Sequence, residues 1–205
     1  MPKPPSQTFD PATVAVLCVE CQNGVLGPDA VLPALAADSG ELIATLRRLL
    51  DAARLAGVHV VHATYEGPLG GSPAGTARLW RTLGPATADW RPGDPATQVV
   101  PELLAPTDVV LPRHHGLFPT VDSELLPVLA GLGVRTVVLT GVSLNLALPY
   151  TAGHASQAGF TLIVPRDAVG GTPASYAQQV VDNTIAVLGR ITTTDALIAE
   201  WTEPV

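Results

Sequence analysis

The residues of this chain whose types could do chemistry fall in three short stretches, each directly after an apolar, β-branched run. They are residues 20–23 (ECQN), 113–116 (RHHG) and 142–147 (VSLNLA). A carboxylate transfers protons, a guanidinium holds an oxygen anion, and the free N–H groups of a helix's first turn stabilise negative charge. Ligands of open α/β sheets bind beyond the carboxyl ends of the strands, so we expect the three stretches to meet at one site.

The third stretch lies inside a predicted strand–helix–strand unit. Residues 136–140 (TVVLT) are typical of a strand buried on both faces, and residues 160–164 (FTLIV) are typical of the next one. Between them, residues 147–158 repeat small and apolar side chains at helical spacing, and Ser143 or Asn145 is the expected N-cap. The chain therefore predicts a helix whose N-terminus opens at the edge of the sheet.

The first turn of that helix is the predicted anion or oxyanion site, because the N–H groups of Leu146 and Ala147 point out of it. Glu20 and Arg113 are the charged groups expected to converge there. Taken singly, Glu20 is equally an ordinary strand-end acid and Arg113 a solvated loop charge, but their joint placement favours a site. The residues expected to contact a ligand are Gln22, His114, Phe118, Ser143, Asn145 and Leu146.

Strands and helices alternate along the whole chain. The pattern predicts strands at residues 14–20, 59–64, 108–111, 136–140, 160–164 and 191–194, and helices at about 39–57, 122–132, 147–158, 174–188 and 195–201. Six short buried strands with intervening helices predict a single doubly wound six-stranded parallel sheet flanked by helices. Residues 12–205 are expected to form this one α/β domain, and residues 1–11 a flexible tail.

Composition limits the function classes. With 205 residues and 47% hydrophobic content, the chain can bury a large core. Eleven basic and 18 acidic residues give a net charge of −7, which argues against nucleic acid as a partner. No apolar run approaches the length of a membrane span, and residues 1–11 lack the apolar core of a signal peptide. We therefore expect a cytoplasmic protein that binds neither nucleic acid nor membrane.

Two further features stand out. Cys18 and Cys21 are the only cysteines, in a C-x-x-C pattern. If the strand stays extended, they lie about 10 Å apart on opposite faces, too far for a disulfide, so we interpret them as core or cavity-wall residues. Residues 65–107 give a weak pattern that includes Leu79, Trp80 and Trp90. Because these side chains have no obvious internal partner, they predict a homodimer or larger homo-oligomer.

Four blocks carry a resemblance to a known family: VAVLCVECQN, VVLPRHHGLFPT, TVVLTGVSLNLA and FTLIVPRDAVGG. Their order and spacing over nearly the whole chain resemble the isochorismatase-like hydrolases, which include isochorismatases, nicotinamidases and other amidases. The resemblance implies a six-stranded parallel sheet, a homo-oligomer and a cis peptide bond between Val142 and Ser143.

The departures from that family concern its catalytic residues. The family's amidases are expected to have an Asp at the position of Glu20, a Lys at Arg113 and a nucleophilic Cys at Ala147. Arginine cannot shuttle protons and alanine has no nucleophile, so an acyl-enzyme at Ala147 is excluded. The family's zinc ligands have no evident counterpart around His62, and His114 and His115 are weak evidence for a metal. We therefore predict neither a metal nor a cofactor.

Three functions remain open. The first is a cysteine-independent hydrolase of a small anionic substrate, with Glu20 as general acid and Arg113 as anion anchor, since the resemblance includes isochorismatases that need a proton donor rather than a thiol. The second is a catalytically inactive family member that binds a ligand or serves in assembly. The third makes Cys21 a displaced nucleophile, which requires its sulfur to face the site.

Overall fold

The structure, a computed structural model, describes residues 10–69 and 75–202, so most of the predicted tail (residues 1–9) lies outside the described residues. The β-branched runs pair in parallel as one sheet. Its strands are β1 (Val14–Val19), β2 (His59–Tyr65), β3 (Val109–Arg113), β4 (Thr136–Val142), β5 (Thr161–Pro165), β6 (Val169–Gly170) and β7 (Arg190–Thr192).

The helices lie between these strands. They are α1 (Asn23–Leu26), α2 (Pro33–Asp38), α3 (Leu42–Leu55), α4 (Trp80–Thr87), α5 (Leu125–Gly131), α6 (Ala147–Gln157), α7 (Ala174–Asn183) and α8 (Thr194–Thr202). Among the described residues, no helix is long and apolar enough to cross a membrane.

The sheet has seven strands, which corrects the predicted six. The extra strand, β6, is two residues long and pairs with Gly141 and Val142, while β5 pairs with residues 136–138 of the same strand. Strands β5 and β6 therefore pair with the same edge of β4, β5 along its first half and β6 at its end. A two-residue strand is too short to leave a periodic pattern in the sequence. The predicted three-layer α/β fold is otherwise confirmed.

The order of the strands in the sheet indicates where a ligand site is expected. The sheet runs β3-β2-β1-β4-β5-β7, so the chain builds outward from β1 to β3 and then returns to add β4 on the other side of β1. The order reverses between β1 and β4, which is where ligands bind in doubly wound sheets. Just beyond these strand ends, Glu20 has a positive φ of 54°. The peptide bond between Val142 and Ser143 is cis, as the family resemblance implied.

Each face of the sheet has its own apolar core. On one face, α3 packs its buried stripe, including Leu46, Leu49 and Leu50, against alternate residues of β1 such as Val16. On the other face, α5, α6 and α7 cover Ala15, Leu17 and Val19. Since both faces are covered, β1 is buried over its full length, as the continuous apolar run predicted.

Two helix boundaries, and the presence of two short helices, differ from the prediction for local reasons. Helix α5 begins at Leu125 rather than near residue 122, since Asp122 has a positive φ of 48° and the Ser123 hydroxyl donates to the Pro119 carbonyl. Helix α7 ends at Asn183, after which residues 185–187 form a 3-10 turn. The short helices α1 and α2 were not predicted, because four to six residues are too few for a helical period.

A buried polar group sits beneath β1 and β2, within the α3 core. The His62 Nε2 lies 3.1 Å from a carboxylate oxygen of Asp108, and Arg54 donates to both oxygens of that carboxylate at 2.7 and 3.1 Å. Burial opposes charge on both His62 and Asp108, but the hydrogen bonds outweigh it. Those to Asp108 and Cys18 raise the pKa of His62 to about 9, and those from His62 and Arg54 lower the pKa of Asp108 to about 2.

These shifts predict how stability depends on pH. The pKa of His62 is raised above its unfolded value of about 6.5, so its stabilisation is complete below that pH and is lost as pH rises through about 9. The lowered pKa of Asp108 acts in the opposite direction, and its contribution is lost as pH falls toward 2. Urea unfolding of the parent and His62→Gln should show a parent advantage on the order of 2 kcal/mol near pH 6 that shrinks by pH 10.

His59→Gln is the matched control. His59 lies on the same strand as His62, but it pairs with Ala15 rather than Cys18, and among the described residues it has no hydrogen bond to Asp108. It should leave the pH profile of the parent unchanged. An advantage of the parent over His62→Gln that grows between pH 6 and 10 would contradict the charged state assigned to His62.

Candidate functional site

A cavity of about 230 Å³ opens at the carboxyl ends of β1, β3 and β4, where the strand order reverses. The structure brings six of the predicted site residues into its lining: Glu20, Arg113, Ser143, Asn145, Leu146 and Ala147. The three sequence stretches therefore meet at one site, as the rule for parallel sheets predicted.

An ion pair forms the charged part of the cavity. The Arg113 Nη2 donates to a carboxylate oxygen of Glu20 in a short contact, with the Arg113 side chain only 5% exposed and that of Glu20 18% exposed. The guanidinium also lies 5.3 Å from the centre of the Tyr65 ring, in cation–π range. Arg113 is thus held between a carboxylate and an aromatic face, and its positive charge is balanced within the site.

One amino group of Arg113 remains without a partner. Its Nε makes a long 3.4 Å contact with the Gly116 carbonyl, while Nη1 is buried and bonds to no protein atom among the described residues. An unsatisfied buried donor costs about 1–3 kcal/mol, more when it is charged, so a water or ligand acceptor is expected there.

Ala147 begins helix α6 and is buried, with only a methyl group to offer the cavity. The predicted pair of free N–H groups is reduced to one. The Leu146 N–H donates to the Ser143 carbonyl at 3.2 Å, and that carbonyl also accepts from Leu148 at 3.0 Å. Within the part of the chain that the structure describes, the Ala147 N–H donates to no protein atom, so it is the remaining donor for a substrate oxygen.

Neither Ser143 nor Asn145 caps α6, contrary to the expectation. The residue at the N-cap position is Leu146, which has no side-chain cap. Asn145 instead exchanges two hydrogen bonds with the backbone of Thr172, at 2.5 and 2.9 Å, and so ties the β6–α7 loop to the cavity wall. Ser143 lines the cavity, and its hydroxyl has no partner among the described residues.

Gln22 does not line the cavity, which corrects its prediction as a ligand contact. It is fully buried, and its amide donates to the carbonyls of Tyr65 and Thr97 while accepting from the Tyr65 N–H. Since all these partners are backbone groups, Gln22 joins the ends of β1 and β2 and fixes Tyr65 beside Arg113.

His114 and Phe118 also lie outside the lining. The Nδ1 of His114 is 3.1 Å from the Gly67 carbonyl, and the Phe118 ring packs on Tyr150 with centroids 4.1 Å apart. Leu117 is the residue of this loop that reaches the cavity. A loop has no fixed periodicity, so the sequence does not tell which neighbour turns inward.

Aromatic and aliphatic side chains make up most of the wall and were not predicted as site residues. Tyr65 lies 6.0 Å from the rings of both Trp80 and Trp90. The aliphatic lining comes from α1, α2, α4 and the intervening loop: Val25, Val31, Leu32, Leu35, Leu79 and Leu83. Trp80 and Trp90 thus have an internal partner in Tyr65, and Leu79 lines the cavity, which removes the basis for assigning them to an oligomer interface. The oligomer itself stays a prediction.

Two glycines hold Trp90 in the wall. A Cβ at Gly24 would lie 2.5 Å from the Trp90 ring, and one at Gly67 would lie 2.3 Å from the Trp90 carbonyl oxygen. Gly67 also has a positive φ of 83°. Any side chain at either position would therefore displace the tryptophan. Both glycines are distant from Trp90 in the sequence, so no local sequence pattern indicates this part of the wall.

Cys21 is not a nucleophile of this cavity. It is 2% exposed, it is absent from the lining, and its sulfur lies within the α3 core, 3.5 Å from the Val19 carbonyl. The third functional hypothesis required the sulfur to face the site, so the structure removes it. His62 likewise belongs to that core, and no group of three or more metal-ligating His, Cys, Asp or Glu side chains is found among residues 10–69 and 75–202.

Comparisons with known proteins agree with this architecture. The structure is similar to a cysteine hydrolase from Pseudomonas syringae pv. phaseolicola 1448A, with a TM-score of 0.81 and 20% identity over 95% of this chain and 94% of that one. It is also similar to N-carbamoylsarcosine amidase from Thermoplasma acidophilum, with a TM-score of 0.71 and 20% identity over 89% and 97% of the chains. At such identities the likeness shows a shared fold.

Sequence comparison extends the likeness to a family. A curated relative, the uncharacterized isochorismatase family protein YecD of Escherichia coli O157:H7, is 28% identical over 101 residues, which are 48% of this chain and 53% of that protein. The match therefore spans about half the length of the relative. The family model for the isochorismatase domain matches residues 14–196. Because that match runs from β1 into α8, the chain belongs to the isochorismatase family.

Proposed function

We propose that this protein is a hydrolase of a small molecule that works without a thiol nucleophile. Glu20 transfers the proton, and Arg113 with the Ala147 N–H holds a substrate oxygen. The observation that carries the proposal is the ion pair of Glu20 and Arg113, which lies in the cavity at the reversal of strand order. Family membership supports the hydrolase class.

Water has to be the attacking group in this proposal, because the Ala147 methyl cannot form an acyl-enzyme. The Glu20 carboxylate, engaged with a guanidinium, is arranged to accept a proton from the water as its oxygen bonds to the substrate. It then returns that proton to the leaving group, which is the general-acid role expected from the sequence. Glu20 is unchanged at the end of the cycle.

Arg113 takes a positioning role. Its Nη2 holds Glu20 and its Nη1 is the unpartnered donor, so one guanidinium orients both the proton-transfer group and a substrate oxygen. The planar guanidinium of an arginine has several N–H donors in fixed directions, so it suits two simultaneous contacts better than the ammonium group of a lysine. The expected anionic character of the substrate stays a prediction, because Glu20 already balances the charge of Arg113 and Nη1 serves a neutral carbonyl as well as a carboxylate.

A second candidate function is ligand binding without turnover. It is favoured by the methyl group of Ala147 at the start of α6, where the family's amidases are expected to have a thiol. It is also favoured by the apolar wall around Tyr65, Trp80 and Trp90, which would bind a ligand without any chemistry. The two candidates predict different results for the same substrate screen.

The first test is turnover by Glu20→Gln. The parent is screened against small amides, esters and vinyl ethers, and any active substrate is then used with the variant. An amide side chain cannot accept or return a proton, so kcat, corrected for the folded fraction, should fall by about 10²–10⁴-fold. Glu102→Gln, which alters an exposed carboxylate on a 3-10 turn, should match the parent. Full activity of Glu20→Gln would end the proposal, and a parent without turnover would favour the binder.

The second test concerns the ion pair. Arg113→Met leaves the Glu20 carboxylate largely buried without its partner and should lower the free energy of unfolding by about 3–5 kcal/mol. The double variant Glu20→Gln/Arg113→Met removes both charges and should lose less than Arg113→Met alone. Urea unfolding of the parent, both single variants and the double variant gives the coupling. Strictly additive losses would show that the two side chains do not interact in solution.

A further inference from the structure

Both cysteines of the C-x-x-C pattern lie in the core on the α3 face of the sheet, which corrects the expectation that they lie on opposite faces of the strand. Cys18 is near the end of β1 and fully buried, and Cys21 is 2% exposed in the same apolar core. The backbone turns at Glu20, whose φ is 54°. Three residues of extended strand would separate the thiols by about 10 Å, but this turn brings Cys21 back beneath the strand that it follows.

The two sulfurs share one small volume. The Thr140 hydroxyl donates to the Cys18 sulfur at 3.4 Å, and the Cys21 thiol lies within hydrogen-bonding reach of that same sulfur. Gly141, the next residue of β4, makes the room, because a Cβ there would lie 2.9 Å from the Cys21 sulfur. The two thiols are therefore neighbours in one part of the α3 core.

The surroundings of the two thiols shift their pKa values in opposite directions. The hydrogen bond from Cys21, together with the neighbouring His62 and the Thr140 hydroxyl, lowers the pKa of Cys18 against the effect of burial. The hydrogen bond to Cys18 and burial raise the pKa of Cys21, and the charges of Cys18 and Glu20 act in the same direction. Of the two thiols, Cys18 is the one that ionises more readily, so we assign it the attacking role and Cys21 the resolving role.

His62 is the group that positions this chemistry. It pairs in register with Cys18 on the adjacent strand, so both side chains lie on the α3 face. Its Nε2 is held by Asp108, so its buried Nδ1 is the ring nitrogen left for the interaction with the Cys18 sulfur. The chain Arg54–Asp108–His62 therefore ends at the Cys18 sulfur, away from the cavity that holds Glu20 and Arg113.

We propose that Cys18 and Cys21 form a reversible intramolecular disulfide on reaction with a peroxide. The Cys18 thiolate attacks one peroxide oxygen, the O–O bond breaks, and Cys18 becomes a sulfenic acid. The Cys21 sulfur then attacks the Cys18 sulfur, and the S–S bond forms as hydroxide leaves. Two thiols and one hydrogen peroxide give one disulfide and two waters, so the sulfurs lose the two electrons that reduce the peroxide.

The disulfide would act on the site through Glu20, which lies between the two cysteines. An S–S bond of about 2.05 Å is shorter than any hydrogen-bonded contact of two sulfurs, so Cys21 has to move toward Cys18. That movement turns the Glu20 backbone and shifts its carboxylate relative to Arg113. Burial of both thiols makes the reaction slow and restricts it to small oxidants that enter when the strand end opens.

The test uses the full chain and hydrogen peroxide as the probe. After treatment, the protein is unfolded, alkylated and weighed intact. The parent should lose two hydrogens and take up no alkyl group, and thiol reductant should restore two alkylatable cysteines. Cys18→Ser and Cys21→Ser should each fail to lose two hydrogens. An unchanged parent, a parent that only gains oxygen, or a crosslink between two chains would each overturn the proposal.

His62→Gln tests the positioning role. Without the imidazolium, the pH at which the rate of disulfide formation reaches half its maximum should move upward, and the rate at neutral pH should fall about tenfold. His59→Gln is the matched control and should keep the pH profile of the parent. A His62→Gln profile that overlays the parent would refute this role, even if the disulfide forms.

Discussion

The register between β1 and β4 is the constraint on which the site depends. Val19 pairs with Gly141, so Glu20 leaves β1 directly after this pair, and β4 ends one residue beyond it, at Val142. Glu20 emerges from one strand and the turn at Ser143 from the other. Gly141 has to lack a side chain, because a Cβ there would lie 2.3 Å from the Val19 carbonyl oxygen. A one-residue slip would send both groups to the wrong face of the sheet.

Two separate buried charge systems are associated with the sheet. Glu20 and Arg113 face the cavity, while His62 and Asp108 lie with Arg54 inside the α3 core. Buried pairs seldom add net stability relative to apolar residues of the same size, because desolvation offsets the attraction. Their presence in a chain of 47% hydrophobic content is therefore better explained by what the charges do than by stability.

The sequence was sufficient for the parts that follow from periodicity and topology. Buried β-branched runs predicted the parallel strands, and the rule of strand carboxyl ends brought Glu20, Arg113 and Ala147 together. What it could not predict depends on single backbone angles and on loops. The positive φ of Glu20 reversed the expected direction of Cys21, and residues 65–107, which lack a clear period, supplied the aromatic wall.

The close packing of Gly24 and Gly67 on Trp90 has a consequence for ligand binding. Gly24 packs against the indole ring and Gly67 against the Trp90 backbone, and the residue is only 9% exposed, so close packing holds the indole in place as part of the wall. A ligand therefore avoids the cost of about 0.5–1.5 kcal/mol that ordering such a side chain would add to association. The cavity therefore selects ligands whose shape fits this fixed surface, and a molecule that could bind only if the indole rotated is excluded.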